Sequence, residues 1–187
     1  MNTPHEILVG VTGGVAAFKT AALVSQLVQQ GHGVTVIMTA AAEKFIGSAT
    51  FAALTGRPVA RDIFDEKSFP LGAHIELAQR GELFCVAPAT ADFLAKAATG
   101  QADDLLSTLY LAFQGPVLIA PAMNSAMWAH PAVQRNVAQL QQDGVELIGP
   151  DDGWLSCRQA GQGRMSAPED LLKAIQAKLL LLPSRKS

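Results

Sequence analysis

Charge is scarce in this chain. Asp, Glu, Lys and Arg make up 16% of it, where soluble domains average about 25%. The 14 basic and 16 acidic residues leave a formal net charge of -2, so a broad basic surface for nucleic acid is not expected. No apolar run approaches the ~20 residues that cross a bilayer, and the N-terminus shows no signal-peptide pattern. Cysteine is nearly absent: Cys85 and Cys157 are the two in the chain, expected as reduced thiols rather than as a disulfide. No metal site is expected. These absences argue against nucleic acid and membrane as partners and point to a cytoplasmic protein.

Apolar residues, by contrast, are plentiful: 49% of the chain before its 16 glycines are counted. Such a surplus needs hidden surface beyond one core, and contacts between copies in a homo-oligomer are the expected place. At 187 residues the chain is read as a single domain, 1–187, large enough for a full hydrophobic core.

Strand-like and helix-like segments alternate. Short apolar runs at Ile7–Val11, Val34–Met38, Leu83–Ala87, Val117–Ala120 and Val145–Ile148 read as strands. Helical patterns cover Val15–Gln30, Ser48–Thr55, Phe93–Phe113, Met127–Gln142 and Pro168–Leu182, with Ser166 a candidate N-cap for the last. Phe64–Ala73 is irregular, and His74 opens a short helix after it. Pro183–Ser187 is expected to fray. This rhythm is that of a three-layer, doubly wound α/β fold on a parallel sheet.

Ligands of such folds bind at the carboxyl ends of the strands, and three segments end there. The glycine-rich turn Gly10-Val11-Thr12-Gly13-Gly14-Val15-Ala16-Ala17-Phe18-Lys19 is either a phosphate cradle at a helix start or a tight ligand-free turn. It is not a P-loop, because Phe18 rather than glycine precedes Lys19-Thr20. It is not a dinucleotide fingerprint either, because Met38-Thr39-Ala40-Ala41 offers no acidic residue for a ribose. Small residues in Ala87-Pro88-Ala89-Thr90-Ala91-Asp92 admit a flat ring, or make an ordinary helix turn capped by Asp92. Pro121-Ala122-Met123-Asn124-Ser125-Ala126-Met127-Trp128 delivers one amide beside an apolar wall, a common make-up for a small-molecule pocket.

Of the four histidines, His5 and His32 carry no expectation, His130 precedes Pro131 at a helix start on the surface, and His74 is the candidate for chemistry. Cys85 sits inside an apolar strand and reads as a small core residue. Cys157 lies in a long glycine-punctuated loop, Asp152–Met165, that reads as either a functional lid or a mobile surface segment. Arg158 and Arg164 in that loop either bind an anionic substrate or keep the loop solvated.

Together, Gly13–Lys19, His74-Ile75-Glu76-Leu77, Ala87–Ala91, Pro121–Asn124 with Met127-Trp128, and the Cys157 loop resemble the homo-oligomeric flavin-containing cysteine decarboxylases. The resemblance runs from Ile7 to about Leu179. It implies a flavodoxin-like (Rossmann-like) fold and FMN lying between subunits of a homotrimer or homododecamer. It assigns Gly13, Gly14, Val15, Thr39, Ala40, Ala41, Thr90, Ala91, Asp92, Phe93 and Ala122 to the flavin. His74 becomes the catalytic base, reaching the flavin of a neighbouring subunit, and Cys157 the proton donor. Asn124 holds the substrate carboxylate, and Trp154, Ser156 and Met165 belong to a clamp closing over the substrate.

The activity so implied is FMN-dependent decarboxylation of a small phosphorylated cysteine conjugate, 4′-phosphopantothenoylcysteine, to 4′-phosphopantetheine. Oxidising the thiol to a thioaldehyde first would create the electron sink that carbon dioxide loss needs. A peptidyl-cysteine decarboxylase is the alternative within this chemistry, and a non-catalytic, regulatory flavin-binding homologue the alternative outside it. Two positions depart from the family's common pattern: Asp92 stands where asparagine is usual and Arg158 where glycine is. Bacterial relatives often carry a downstream ligase, and the residues after Leu182 are too few for one. A separate phosphopantothenate–cysteine ligase is then the expected partner, with the chain either standing alone or forming part of a longer polypeptide.

Overall fold

In the computed structural model, which describes residues 4–182, five parallel strands stand in the order β2-β1-β3-β4-β5. They are β1 (Glu6–Val11), β2 (Gly33–Met38), β3 (Leu83–Ala89), β4 (Val117–Pro121) and β5 (Glu146–Leu147). Parallel strands covered by helices on both faces are buried twice over, which is why β3 is buried at every position and β1 and β2 at all but their first. The expected tail, Pro183–Ser187, lies outside the described residues.

Alternate side chains feed two cores. On one face Ile7, Val9, Val36 and Cys85 meet α1 (Ala17–Gln29), α2 (Ser48–Thr55) and α8 (Pro168–Leu179) through Leu23, Leu27, Phe51, Leu171 and Ile175. On the other face Leu8, Ile37, Phe84 and Ile119 meet α3 (Ala73–Arg80), α4 (Ala91–Thr99), α5 (Leu105–Ala112) and α7 (Pro131–Gln142) through Leu77, Leu94, Leu109 and Leu140. This is the three-layer, doubly wound, flavodoxin-like arrangement. Its strand order reverses between β1 and β3, so the crevice for a ligand opens at the carboxyl ends of those two strands.

Two long helical patterns are each divided. Phe93–Phe113 splits into α4 and α5, because Gly100 takes a left-handed φ of 72° and Asp104 starts a new helix, accepting from the Ser107 amide at 2.8 Å. Met127–Gln142 splits into α6 (Ser125–Trp128) and α7, with His130 as the cap and Pro131 in the first turn of α7. The residue before a proline is driven out of helical geometry, and the His130 ring instead accepts from the Ala132 amide at 3.2 Å.

Ser166 is not the cap of α8. Ala167 holds that position, and the buried Ser166 hydroxyl donates to the Asp151 carboxylate at 2.8 Å. Among the described residues no helix is long and apolar enough to cross a membrane.

Candidate active site

Two threonines stitch the reversal point together. The Thr12 hydroxyl donates to the Pro88 carbonyl at 2.7 Å and accepts from the Thr90 amide at 3.0 Å. From the first full turn of α1, the buried Thr20 hydroxyl donates to the Ala87 carbonyl at 2.6 Å. The glycine turn after β1 and the Ala87–Thr90 segment are thereby held as one surface. The end of β4 joins them, as the Ala122 amide donates to the Ala89 carbonyl at 3.0 Å.

Thr90, not Asp92, caps α4, accepting from the Phe93 amide at 3.4 Å. Asp92 pairs instead with Lys96 at 3.3 Å. Burial draws the Lys96 ammonium's pKa down, but hydrogen bonds to Asp103 and Asp92 reverse that and leave it raised.

Asn124 is positioned by its own helix. Its Oδ1 accepts from the Met127 amide at 2.8 Å and caps α6, so the amide's remaining hydrogen-bonding group is the Nδ2 donor.

The Cys157 region is not a loop. Asp151–Trp154 and Ala160–Arg164 form an antiparallel hairpin, β6 and β7. Its glycines are points of close approach rather than loop punctuation. A Cβ on Gly161 would fall 2.5 Å from the Ser125 hydroxyl, and one on Gly163, whose φ is +140°, would collide with the Met123 carbonyl. Two hydrogen bonds dock the hairpin's second strand: the Met123 amide donates to the Gly163 carbonyl at 3.0 Å, and the Lys19 ammonium to the Met165 carbonyl at 2.7 Å. The hairpin turns tightly between Leu155 and Gln159, which pair at 2.9 Å. Arg158 is the one non-glycine residue with positive φ among those described, at 63°, and this left-handed geometry is the kind glycine adopts without strain. Cys157, beside it, is exposed.

Between the strand ends and the hairpin lies a cleft of about 430 Å³. Gly13, Gly14, Val15, Thr90, Ala91 and Ala122 line it from the strand side. Asn124, Trp154, Ser156 and Met165 line it from the side of α6 and the hairpin. Of the apolar wall expected at 127–128, Met127 lines the cleft while Trp128 packs against the second core.

Other candidates stand apart from the lining. Phe93 is buried in the core. Thr39, Ala40 and Ala41 adjoin the glycine turn without lining the cleft: the Thr39 amide donates to the Val11 carbonyl at 3.1 Å, and Ala41 Cβ sits 2.5 Å from the position a Gly13 Cβ would take. His74, on the first turn of α3, keeps a buried Nδ1 with no hydrogen-bond partner. Exposed Phe64, Leu71 and Ile75 lie close to it in sequence.

Sequence reasoning gave Thr12, Lys19 and Thr20 no role. Their partners Pro88, Met165 and Ala87 lie 76, 146 and 67 residues away, and no local pattern reports such pairings.

The fold and the cleft define a doubly wound protein with a nucleotide-type ligand site at its β1/β3 reversal. The chain belongs to the Flavoprotein family, whose sequence profile matches residues 1–180. It is 47% identical over 169 residues to the coenzyme A biosynthesis bifunctional protein CoaBC of Bacillus subtilis (strain 168), which covers 90% of this chain and 42% of that protein. It is 45% identical over 173 residues to the CoaBC of Mycobacterium tuberculosis (strain ATCC 25618 / H37Rv), covering 92% of this chain and 41% of that one. The chain thus spans about two fifths of the length of these curated relatives.

Among solved structures, the FMN-dependent cysteine decarboxylase SpaF superimposes with a TM-score of 0.82 at 35% identity, covering 95% of this chain and 96% of that one. A cysteine-to-serine mutant of PPC decarboxylase complexed with pantothenoylaminoethenethiol gives 0.85 at 25% identity, covering 94% and 98%.

Proposed function

We propose that this chain decarboxylates 4′-phosphopantothenoylcysteine to 4′-phosphopantetheine, with FMN as cofactor, in coenzyme A biosynthesis. The observation that carries the reading is one cleft in which a floor of small strand-end residues faces a fixed amide donor, Asn124, under a docked hairpin. The relatives' role in coenzyme A biosynthesis and the enethiol held by the PPC decarboxylase neighbour support it.

The residues present fit a flavin. A Cβ on Gly14 would stand 3.8 Å from Pro88 and 3.9 Å from Thr90. Its absence, beside Ala91 and Ala122, leaves a shallow face against which a planar ring lies. Among the described residues no carboxylate lines the cleft to repel a phosphate. When bound, FMN supplies two-electron redox chemistry that makes the thiol-bearing carbon an electron sink and afterwards reverses it.

The chain's own groups do the rest. Asn124 Nδ2 donates to the substrate carboxylate and orients it for departure. His74 accepts the thiol proton. Because His74 lies outside its own chain's cleft lining and near exposed Phe64, Leu71 and Ile75, it serves the cleft of a second copy in a homotrimer or homododecamer. Cys157, next to cleft-lining Ser156, returns a proton to the carbon that has lost carbon dioxide. Exposed Trp154 closes over the substrate and excludes water, whereas Met165, expected in the same clamp, is buried in the first core and forms a fixed edge of the cleft. Residues 1–187 act as one flavoprotein domain in the cytoplasm, supplied by a phosphopantothenate–cysteine ligase, whether separate or joined to the same polypeptide.

A second reading keeps the same chemistry but places the cysteine in a peptide; SpaF, an FMN-dependent cysteine decarboxylase, is as compatible with it as with a small conjugate. The test is incubation of the purified yellow protein with phosphopantothenoylcysteine and with a peptide ending in cysteine, following products by mass. Loss of carbon dioxide from the small conjugate alone is expected. No loss from it, with FMN bound, sinks the leading reading. Cys157→Ser is expected to accumulate the oxidised enethiol, and full turnover in that variant would remove Cys157 from the mechanism.

A further inference from the structure

Among the described residues Lys19 and Arg164 are the two charged ones that line the cleft, and both are cationic. The Lys19 ammonium gives one N–H to the Met165 carbonyl at 2.7 Å, which leaves two N–H groups to offer. Arg164 folds back along the hairpin, its Cζ 2.8 Å from where a Gly153 Cβ would stand. Among the described residues no carboxylate pairs with its guanidinium. Burial lowers the Lys19 pKa and Arg164 lowers it further, against weaker opposition from Asp151 and Glu169. Two positive charges therefore stand together here, and Asp151 and Glu169, near enough to act on Lys19, form an ion pair with neither cation among the described residues.

The chemistry of decarboxylation decides which anion belongs. A carboxylate loses its charge as carbon dioxide leaves, so cations fixed upon it would favour the ground state over the transition state and slow the reaction. A neutral amide such as Asn124 suits that group better. A phosphomonoester keeps its charge throughout, and paired Lys and Arg donors bind it without cost to the chemical step. Substrate and flavin nucleotide both carry such a group. Arg164 stands on the hairpin, and Lys19, from the first turn of α1, turns its ammonium to the Met165 carbonyl at the hairpin's end; this placement on the hairpin side of the cleft favours the substrate's.

We propose that Lys19 and Arg164 form a phosphomonoester subsite that selects a phosphorylated cysteine conjugate over its dephosphorylated form. The proposal rests on the decarboxylase reading above for the identity of that conjugate, and its test separates the two. The flavin-loaded protein is titrated calorimetrically with phosphopantothenoylcysteine and with pantothenoylcysteine, and turnover of both is measured. Wild type, Lys19→Met, Arg164→Met and the conservative Lys19→Arg are compared.

Wild type is expected to prefer the phosphorylated compound by roughly tenfold or more, the scale of charge-assisted hydrogen bonds. The preference falls towards unity in both methionine variants and returns in Lys19→Arg. No preference in wild type, or methionine variants that weaken both compounds equally, overturns the proposal. FMN and riboflavin affinities of the flavin-free protein give the remaining arm. Methionine variants that lose affinity for FMN but not for riboflavin would assign the subsite to the cofactor and overturn the proposal as well. If neither compound releases carbon dioxide yet the phosphorylated one still binds more tightly, the subsite stands and the decarboxylase reading falls.

Discussion

The strand-end wall of the cleft and the hairpin wall differ in what stands behind them. Behind Gly14, Thr90 and Ala122 lie the sheet and two cores, with Thr12 and Thr20 tying the turns to β3 through buried hydrogen bonds. The hairpin carrying Trp154, Ser156 and Cys157 is largely exposed and is docked by the bonds at Met123 and Lys19. Opening free energy follows the contacts a segment must give up. The first wall therefore opens only with the whole fold, while the second opens alone. The proposed function uses this difference, with the planar ring on the former and the clamp that admits and releases substrate on the latter.

Gly163→Ala is expected to break the comparison hardest. Its Cβ would strike the Met123 carbonyl from a φ that side chains rarely adopt, so the hairpin undocks while the sheet stays folded. Misplacement of about 1 Å in a site costs on the order of a hundredfold in rate. The check is kcat/KM beside a melting curve: lost activity with little change in Tm is expected, and collapse of both would show that the hairpin supports the fold.

Thr12→Val attacks the opposite wall. It strips the Thr90 amide of its partner, and a buried unpaired donor costs about 1–3 kcal/mol. Denaturant midpoint and flavin affinity should fall together. An unchanged midpoint would show that water repairs the gap.

The two cysteines sharpen the contrast. Burial pushes the Cys85 thiol up from 9.0 to about 12, whereas Cys157 is exposed. One thiol per chain should react with a maleimide in the native state, and two after unfolding. Because the folded protein holds the Cys85 proton longer than the unfolded chain does, its contribution is complete below pH 9.0 and is lost as pH rises towards about 12. The slope is roughly 1 kcal/mol per pH unit, and Cys85→Ala should remove it from the stability–pH curve.

Arg158→Gly is the mildest change. It relieves the left-handed strain at φ 63° and should stabilise the turn by about 1 kcal/mol. Slower hydrogen exchange of the Leu155 amide, bonded to Gln159 at 2.9 Å, would register it.

What could be read from sequence follows the same division. The strands announce themselves because double burial makes Ile7–Val11 or Leu83–Ala87 continuous apolar runs. Asn124 was legible because it follows such a run directly. The hairpin was not: its strands carry glycine where ordinary strands carry branched side chains, since Gly161 and Gly163 exist to let Ser125 and Met123 come close. Residue type alone singled out His74, and its place outside its own chain's cleft lining comes from tertiary placement that local pattern does not encode. The Arg158 departure takes on physical meaning only with its dihedral in hand.

Asn124 divides its labour between two atoms: Oδ1 holds the start of α6, and Nδ2 is the donor that the proposed mechanism assigns to the substrate. Exchanging that amide nitrogen for oxygen, as Asn124→Asp does, keeps the acceptor and removes the donor. If the proposed mechanism holds, a descendant carrying it would fold as its parent does and bind flavin on the same floor, yet repel the carboxylate that Asn124 is proposed to hold. Catalysis and architecture can thus part company here through a single heteroatom, and superposition of the two backbones would not reveal which of them is an enzyme.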